Sequence, residues 1–108
     1  ILKNKKFLKK IFSIKEIENG SKLKKKFMYF SKRFAAKEAF VKALGTGFRD
    51  NINFNSISIL NDKRGKPYIK CEKNLNKKIK DLTKKKKLNI FLSLADEKDY
   101  SLAFVIIQ

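Results

Sequence analysis

The sequence predicts an α+β fold with helices packed on an antiparallel sheet, and three observations lead there. Residues 3–44 carry apolar side chains at helical spacing, residues 52–54 and 57–60 alternate with period two, and residues 68–72, 88–94 and 100–107 read as further strands. The segments between them are rich in Gly, Asn, Asp and Pro, the residues of turns. Helices first and hairpins afterwards give the α+β class, not a wound parallel sheet.

Lys3 to Phe12 reads as a basic amphipathic helix, with Phe7, Leu8, Ile11 and Phe12 on one side. Ser13 and Glu16 have the spacing of a capping box and open a second helix, which Asn19-Gly20 stops. A long helix runs from about Lys22 to Leu44, closed by Gly45. Ile52 to Phe54 and Ile57 to Leu60 read as extended chain, followed by the turn NDKRGKP (Asn61 to Pro67) and the strand Tyr68 to Glu72. Asn74 caps a short helix through Leu75, Ile79 and Leu82. Lys84 to Lys87 is a solvated charged loop. Leu88 to Leu94 and Tyr100 to Ile107 finish as apolar strands joined by ADEKD, and no internal repeat is visible.

A chain of 108 residues, 43% hydrophobic with ten Phe, suits one folded domain over residues 1–108. No apolar run approaches the roughly 18 residues of a membrane helix. No signal peptide is visible, so a cytoplasmic location is expected. The chain starts at Ile1 with residues that already look like mid-helix, and a missing N-terminal piece is expected. Cys71 is the only cysteine and there is no histidine, which excludes a Cys/His zinc site and any chemistry relying on imidazole. The net charge of +18 suits a nucleic acid, an anionic surface or an acidic protein. Of 28 basic residues only Arg33, Arg49 and Arg64 are arginine, a bias that AT-rich coding alone produces. A basic nucleic-acid-binding module has the charge as its only support, because the phenylalanines fall at core periodicity.

One residue breaks the helical pattern. With Phe34 as reference, Phe27, Phe30 and Val41 fall within about 40° on a helical wheel, and Glu38 falls in the same sector. Burying an unpaired carboxylate costs several kcal/mol, so Glu38 needs a partner. It can swing to solvent and pair with Lys42 at i+4, or serve as a hard oxygen ligand for a metal. Lys37 and Lys42 flank it, and the helix ends in Gly45-Thr46-Gly47, whose amides and hydroxyl can meet an anion. A carboxylate, two ammonium groups and this turn together suit a magnesium-bound pyrophosphate.

RFAAKEAFVKALGTGF, then INFNSISILNDKRGKPY, then LSLADEKDYSLAFVII resembles the small phosphopantetheinyl transferase family, the bacterial holo-acyl-carrier-protein synthases. The resemblance covers essentially the whole chain and implies the phosphopantetheinyl transferase-like fold. It also implies transfer of the 4′-phosphopantetheine arm of coenzyme A to a serine of acyl carrier protein, releasing adenosine 3′,5′-bisphosphate, in fatty acid biosynthesis. In that family magnesium is held by the Glu of the KEA motif, matched by Glu38, and by an Asp of a G-x-D-I motif with no counterpart here. Lys42 matches the lysine that neutralises phosphate charge. Lys37, Gly45 and Thr46 match positions lining the coenzyme A site, and Gly65, Lys66 and Pro67 match a hairpin that approaches the nucleotide. Where many members carry a Ser/Thr-His-Thr stretch, this chain has Ala95-Asp96-Glu97.

The resemblance also gives the basic first helix a partner. Lys3, Lys6 and Lys10, with Arg33, match positions that dock the acidic recognition helix of acyl carrier protein. Lysine keeps the charge there and loses the bidentate geometry. A homotrimer with active sites between subunits is implied as well. An inactive remnant of the same enzyme stands as the alternative, since the second metal ligand lies outside the sequence.

Overall fold

A computed structural model describes residues 5–45, 52–87, 89–96 and 101–108. Helices α1 (Lys5–Ile11), α2 (Ile14–Ser21) and α3 (Lys26–Leu44) come first, then a 3₁₀ turn at Phe54–Ser56. Strands β1 (Ile57–Asn61) and β2 (Pro67–Cys71), helix α4 (Lys73–Thr83) and strands β3 (Ile90–Asp96) and β4 (Ser101–Ile107) complete the order. Both hairpins are antiparallel, with Ile59 opposite Ile69 in the first and Leu92 opposite Val105 in the second. They are separate two-stranded ladders, not one continuous sheet, with β2 beside β3. No helix among the described residues is long and apolar enough to cross a membrane.

The capping box forms as the spacing predicts. The Ser13 hydroxyl accepts from the Glu16 amide at 3.3 Å, and Glu16 Oε1 accepts from the Ser13 amide at 2.9 Å. Gly20 does not stop α2, which continues to Ser21. A Cβ at Gly20 would lie 2.6 Å from the rings of Tyr29 and Phe30, so this glycine serves close packing against α3. Helix α3 begins at Lys26 instead of about Lys22. Lys22, Lys24 and Lys25 would place positive charge at the positive end of the helix dipole, and Lys25 supplies no side-chain cap. Ile52 and Phe54 pack on the core without forming a strand, the chain there turning through the 3₁₀ segment.

The main core joins Ala36, Phe40 and Val41 of α3 to Ile57 and Ile59 of β1 and Leu75 and Ile79 of α4. A smaller cluster holds α1 on α3 through Leu8, Phe12, Tyr29 and Phe30, with Phe12 and Phe30 ring centroids 4.8 Å apart. Burial pushes the Cys71 thiol up to about 11, making it an uncharged filler beside the main core.

The buried face of α3 is Tyr29, Phe30, Arg33, Ala36, Lys37, Phe40 and Val41. That face is turned roughly a quarter turn from the stripe centred on Phe34. Phe27 is 70% exposed and Phe34 37%, so neither is core. The fully buried charge on this helix is Lys37, at 0% exposure. Its ammonium donates to Glu16 Oε1 at 2.5 Å, to the Ile11 carbonyl at 2.7 Å and to the Phe54 carbonyl at 2.9 Å. The second oxygen of Glu16 accepts from the Ile59 amide at 3.0 Å. One ion pair thereby ties the end of α1, the start of α2, the 3₁₀ turn and β1 to α3.

Removing one partner of such a pair leaves an uncompensated buried charge. Lys37→Met should therefore lower the free energy of urea unfolding by about 3–5 kcal/mol, against about 0.5 kcal/mol or less for Lys15→Met on the exposed face of α2. Equal small losses for the two variants would show that the pair does not organise the fold.

Candidate active site

Because Lys37 turns inward, its neighbour Glu38 turns to the rim. Glu38 is half-buried, and among the described residues no hydrogen bond or ion pair engages its carboxylate. The pairing with Lys42 is not formed, although Lys42 lies one turn on and is exposed. Gly45 follows another turn later and closes the helix, its amide donating to the Lys42 carbonyl at 3.1 Å. With φ +95° and ψ 179°, Gly45 occupies a backbone region essentially reserved for glycine. Glu38, Lys42 and Gly45 thus line up along one side of α3, as their spacing requires. Thr46 and Gly47 lie outside the described residues.

Among the described residues no three His, Cys, Asp or Glu side chains gather into a metal cage. Glu38 alone suits a cation that binds one or two carboxylates and completes its shell with water and phosphate oxygens, as magnesium does. Glu38, with Lys42 one turn on and the Gly45 turn beyond it along the same side of α3, fits that ion in company with a phosphate ligand.

The first hairpin presents its turn with Gly65 at φ +85°. Asp62 builds this turn. Its Oδ1 accepts from the amides of Arg64 and Lys66, both at 2.9 Å. Its amide donates to the Lys66 carbonyl at 2.9 Å, and its own carbonyl accepts from the Gly65 amide at 3.0 Å. Gly65 and Lys66 are exposed and Pro67 is half-buried at the start of β2.

Two residues stand further inside than the sequence reading puts them. Lys37 is fully buried, and its three ammonium donors are taken by Glu16, Ile11 and Phe54. Burial holds its pKa below the ordinary lysine value, with the Glu16 charge pushing it back up. Arg33 is not on the open surface, being 7% exposed. Its guanidinium lies 3.7 Å over the Tyr29 ring and donates to Asn61 Oδ1 at 2.6 Å.

The basic face of α1 is retained in part. Lys6 and Lys10 are exposed and one turn apart, whereas Lys3 lies outside the described residues. Beside them, an apolar groove of about 210 Å³ runs between α1 and α3, lined by Phe7, Leu8, Phe12, Phe27, Phe30 and Phe34 with Ser31. Sequence reasoning assigned these phenylalanines to a core, which holds for Phe12 and Phe30, and missed the groove. It also missed Glu16 as a long-range partner and Asn61 as a link, because a local capping spacing and a turn residue carry no sign of a distant contact. Of Ala95-Asp96-Glu97, Glu97 lies outside the described residues.

Comparison with known proteins gives the family of the chain. The 4′-phosphopantetheinyl transferase superfamily profile matches residues 2–105. A holo-[acyl-carrier-protein] synthase of Pelagibacter ubique is 50% identical over 107 residues, covering 99% of this chain and 84% of that protein. The crystal structure of the holo-[acyl-carrier-protein] synthase from Neisseria meningitidis superposes with a TM-score of 0.84 at 36% identity, over 97% of this chain and 82% of that one. A synthase from Bacillus anthracis in complex with CoA (3′,5′-ADP) gives 0.75 at 30% identity, over 94% and 79%. The chain therefore belongs to the 4′-phosphopantetheinyl transferase superfamily, among its holo-[acyl-carrier-protein] synthases.

Proposed function

We propose that this protein transfers the 4′-phosphopantetheine arm of coenzyme A to a serine hydroxyl of apo acyl carrier protein, in fatty acid biosynthesis. The observation that carries the reading is the row Glu38, Lys42 and Gly45 on the outward side of α3, in a chain half identical to a holo-[acyl-carrier-protein] synthase. The partner's serine oxygen forms a bond to the phosphorus bearing the pantetheine arm, and the pyrophosphate bridge breaks to release adenosine 3′,5′-bisphosphate. Such a displacement depends on positioning and on neutralising oxygen charge more than on covalent chemistry by the protein. A chain without histidine is equipped for that.

Lys42 sets an ammonium against the phosphate oxygens and offsets the charge that grows on the leaving group. Gly45 and Thr46 let the backbone approach the pyrophosphate closely, and Gly65, Lys66 and Pro67 contact the nucleotide. Glu38 would hold magnesium, and the ion would supply charge neutralisation on the pyrophosphate.

An acidic acyl carrier protein docks on α1. Lys6 and Lys10 offer positive charge beside the apolar groove, a combination suited to an acidic amphipathic helix, and Lys3 adds to the same basic stretch of sequence. The protein forms a homotrimer with active sites between subunits. That reading is supported by Phe91, Leu102, Phe104 and Ile106, which stand 41–70% exposed on one face of the β3–β4 hairpin. A cytoplasmic location goes with this function.

Mixing the protein with magnesium, coenzyme A and apo carrier should raise the carrier's mass by one phosphopantetheine arm, and an unmodified carrier would sink the reading. Glu38→Gln should remove at least about 100-fold of turnover with an unchanged circular-dichroism spectrum, and Lys42→Ala should raise the KM for coenzyme A. Reversing charge with Lys6→Glu and Lys10→Glu should slow carrier association several-fold at low salt, and less so at high salt, in stopped-flow measurements. Phe104→Glu should shift the species seen by analytical ultracentrifugation from trimer to monomer; an unchanged trimer would place the interface elsewhere.

A further inference from the structure

The turn of the first hairpin takes its shape and its direction from different residues. Asp62 fixes the shape through four hydrogen bonds made within the turn. These bonds would survive if the whole turn swung as a unit about the end of β1. What joins the turn to α3 is Arg33. Its guanidinium donates to Asn61 Oδ1 at 2.6 Å, and Asn61 Nδ2 donates to the Gly65 carbonyl at 2.8 Å. The amide of one exposed asparagine thus bridges a buried cation and the tip of the hairpin.

Arg33 is built to hold rather than to receive. It is 93% buried by virtue of its 7% exposure, and its planar group lies on the Tyr29 ring at 3.7 Å. Burial raises the Tyr29 pKa despite the opposing guanidinium, so the ring remains a neutral phenol beneath the cation. Among the described residues the buried Arg33 Nε–H has no partner, and the stack and the Asn61 bond fix the group. Lysine would lose the planar stack and the fixed fork of donors. On the same helix, five residues on, stands Glu38.

We infer that Arg33 is a positioning residue: acting through Asn61, it holds the Gly65–Lys66 tip against the helix that carries Glu38 and Lys42, and it takes no part in docking the carrier protein. The inference rests on the assignment of Gly65, Lys66 and Pro67 to coenzyme A made above. Losing Arg33 frees the Asn61 amide to rotate, releases the Gly65 carbonyl and lets the tip move away from the nucleotide. The cost falls on coenzyme A binding. A docking role would place it on the carrier.

The test compares steady-state constants for both substrates in the full-length wild type, Arg33→Met, Asn61→Ala and the double variant. Each single change should raise the KM for coenzyme A about ten-fold, the scale of one charge-assisted hydrogen bond, and leave the KM for the carrier within roughly two-fold. The double variant should be no worse than the poorer single one, because both break the same link. A rise confined to the carrier's KM, a silent Asn61→Ala, or multiplicative effects would each overturn the inference. Asn61 is exposed, so Asn61→Ala remains informative if Arg33→Met folds poorly. Backbone order parameters from nitrogen-15 relaxation give a reading independent of turnover. The Gly65 and Lys66 amides keep their bonds to Asp62, yet their order parameters should fall from about 0.85 in wild type to below about 0.6 in Arg33→Met as the turn swings as a unit. Unchanged order parameters would overturn the anchoring even in an active enzyme. A wild type without turnover would overturn the assigned function instead, and the relaxation result alone would then decide the anchoring.

Discussion

The contact on which the rest of the structure depends is the buried pair of Lys37 and Glu16. Two charges removed from water are costly, and an apolar pair of the same volume can be as stable or more so. What an apolar pair cannot do is satisfy the carbonyls of Ile11 and Phe54 and the amide of Ile59, all of which end at this site. Four segments distant in sequence are brought to one ammonium and one carboxylate. The geometry is nearly complete: every Lys37 proton has an acceptor, and both Glu16 oxygens are used. A network so fully satisfied admits one arrangement of α1, α2 and β1 about α3 and penalises others.

That arrangement decides what α3 offers to a ligand. The sequence places Arg33, Lys37, Glu38 and Lys42 on one helix, and their division between inside and outside is a matter of rotation. Anchoring Lys37 inward leaves Glu38 at the rim and Lys42, one turn on, exposed along the same side of the helix. Arg33 goes inward with Lys37 and reaches the first hairpin through Asn61. The proposed catalytic row and the hairpin are therefore referred to one helix. The apolar groove beside α1 follows from the same rotation, because it leaves Phe27 and Phe34 outside the core that a helical wheel assigned to them.

Fold class, the order of elements and most boundaries were legible because they follow from local rules. The capping box of Ser13 and Glu16, the closure of α3 at Gly45 and the Asn61–Pro67 turn are all encoded within a few residues. Glu38, Lys42 and Gly45 were legible as one row for the same reason. The orientation of α3 was not. A helical wheel sorts residues by type, and two of the buried residues are cations whose partners, Glu16 and Asn61, lie 21 and 28 positions away. Gly20 was misread likewise, as a stop, since the rings it makes room for belong to the next helix. The family resemblance supplied chemistry beyond what spacing carries, including the hairpin's approach to the nucleotide. For Lys37 and Arg33 it supplied roles that their burial does not support.

A crystal structure grown with coenzyme A and manganese in place of magnesium would test the central claim most directly, because anomalous scattering locates the ion. The account requires a Glu38 oxygen on that ion and the Lys42 ammonium near the phosphates, with Lys37 still bonded to Glu16, Ile11 and Phe54. An ion bound away from Glu38, or Lys37 swung out onto the phosphates, would contradict it.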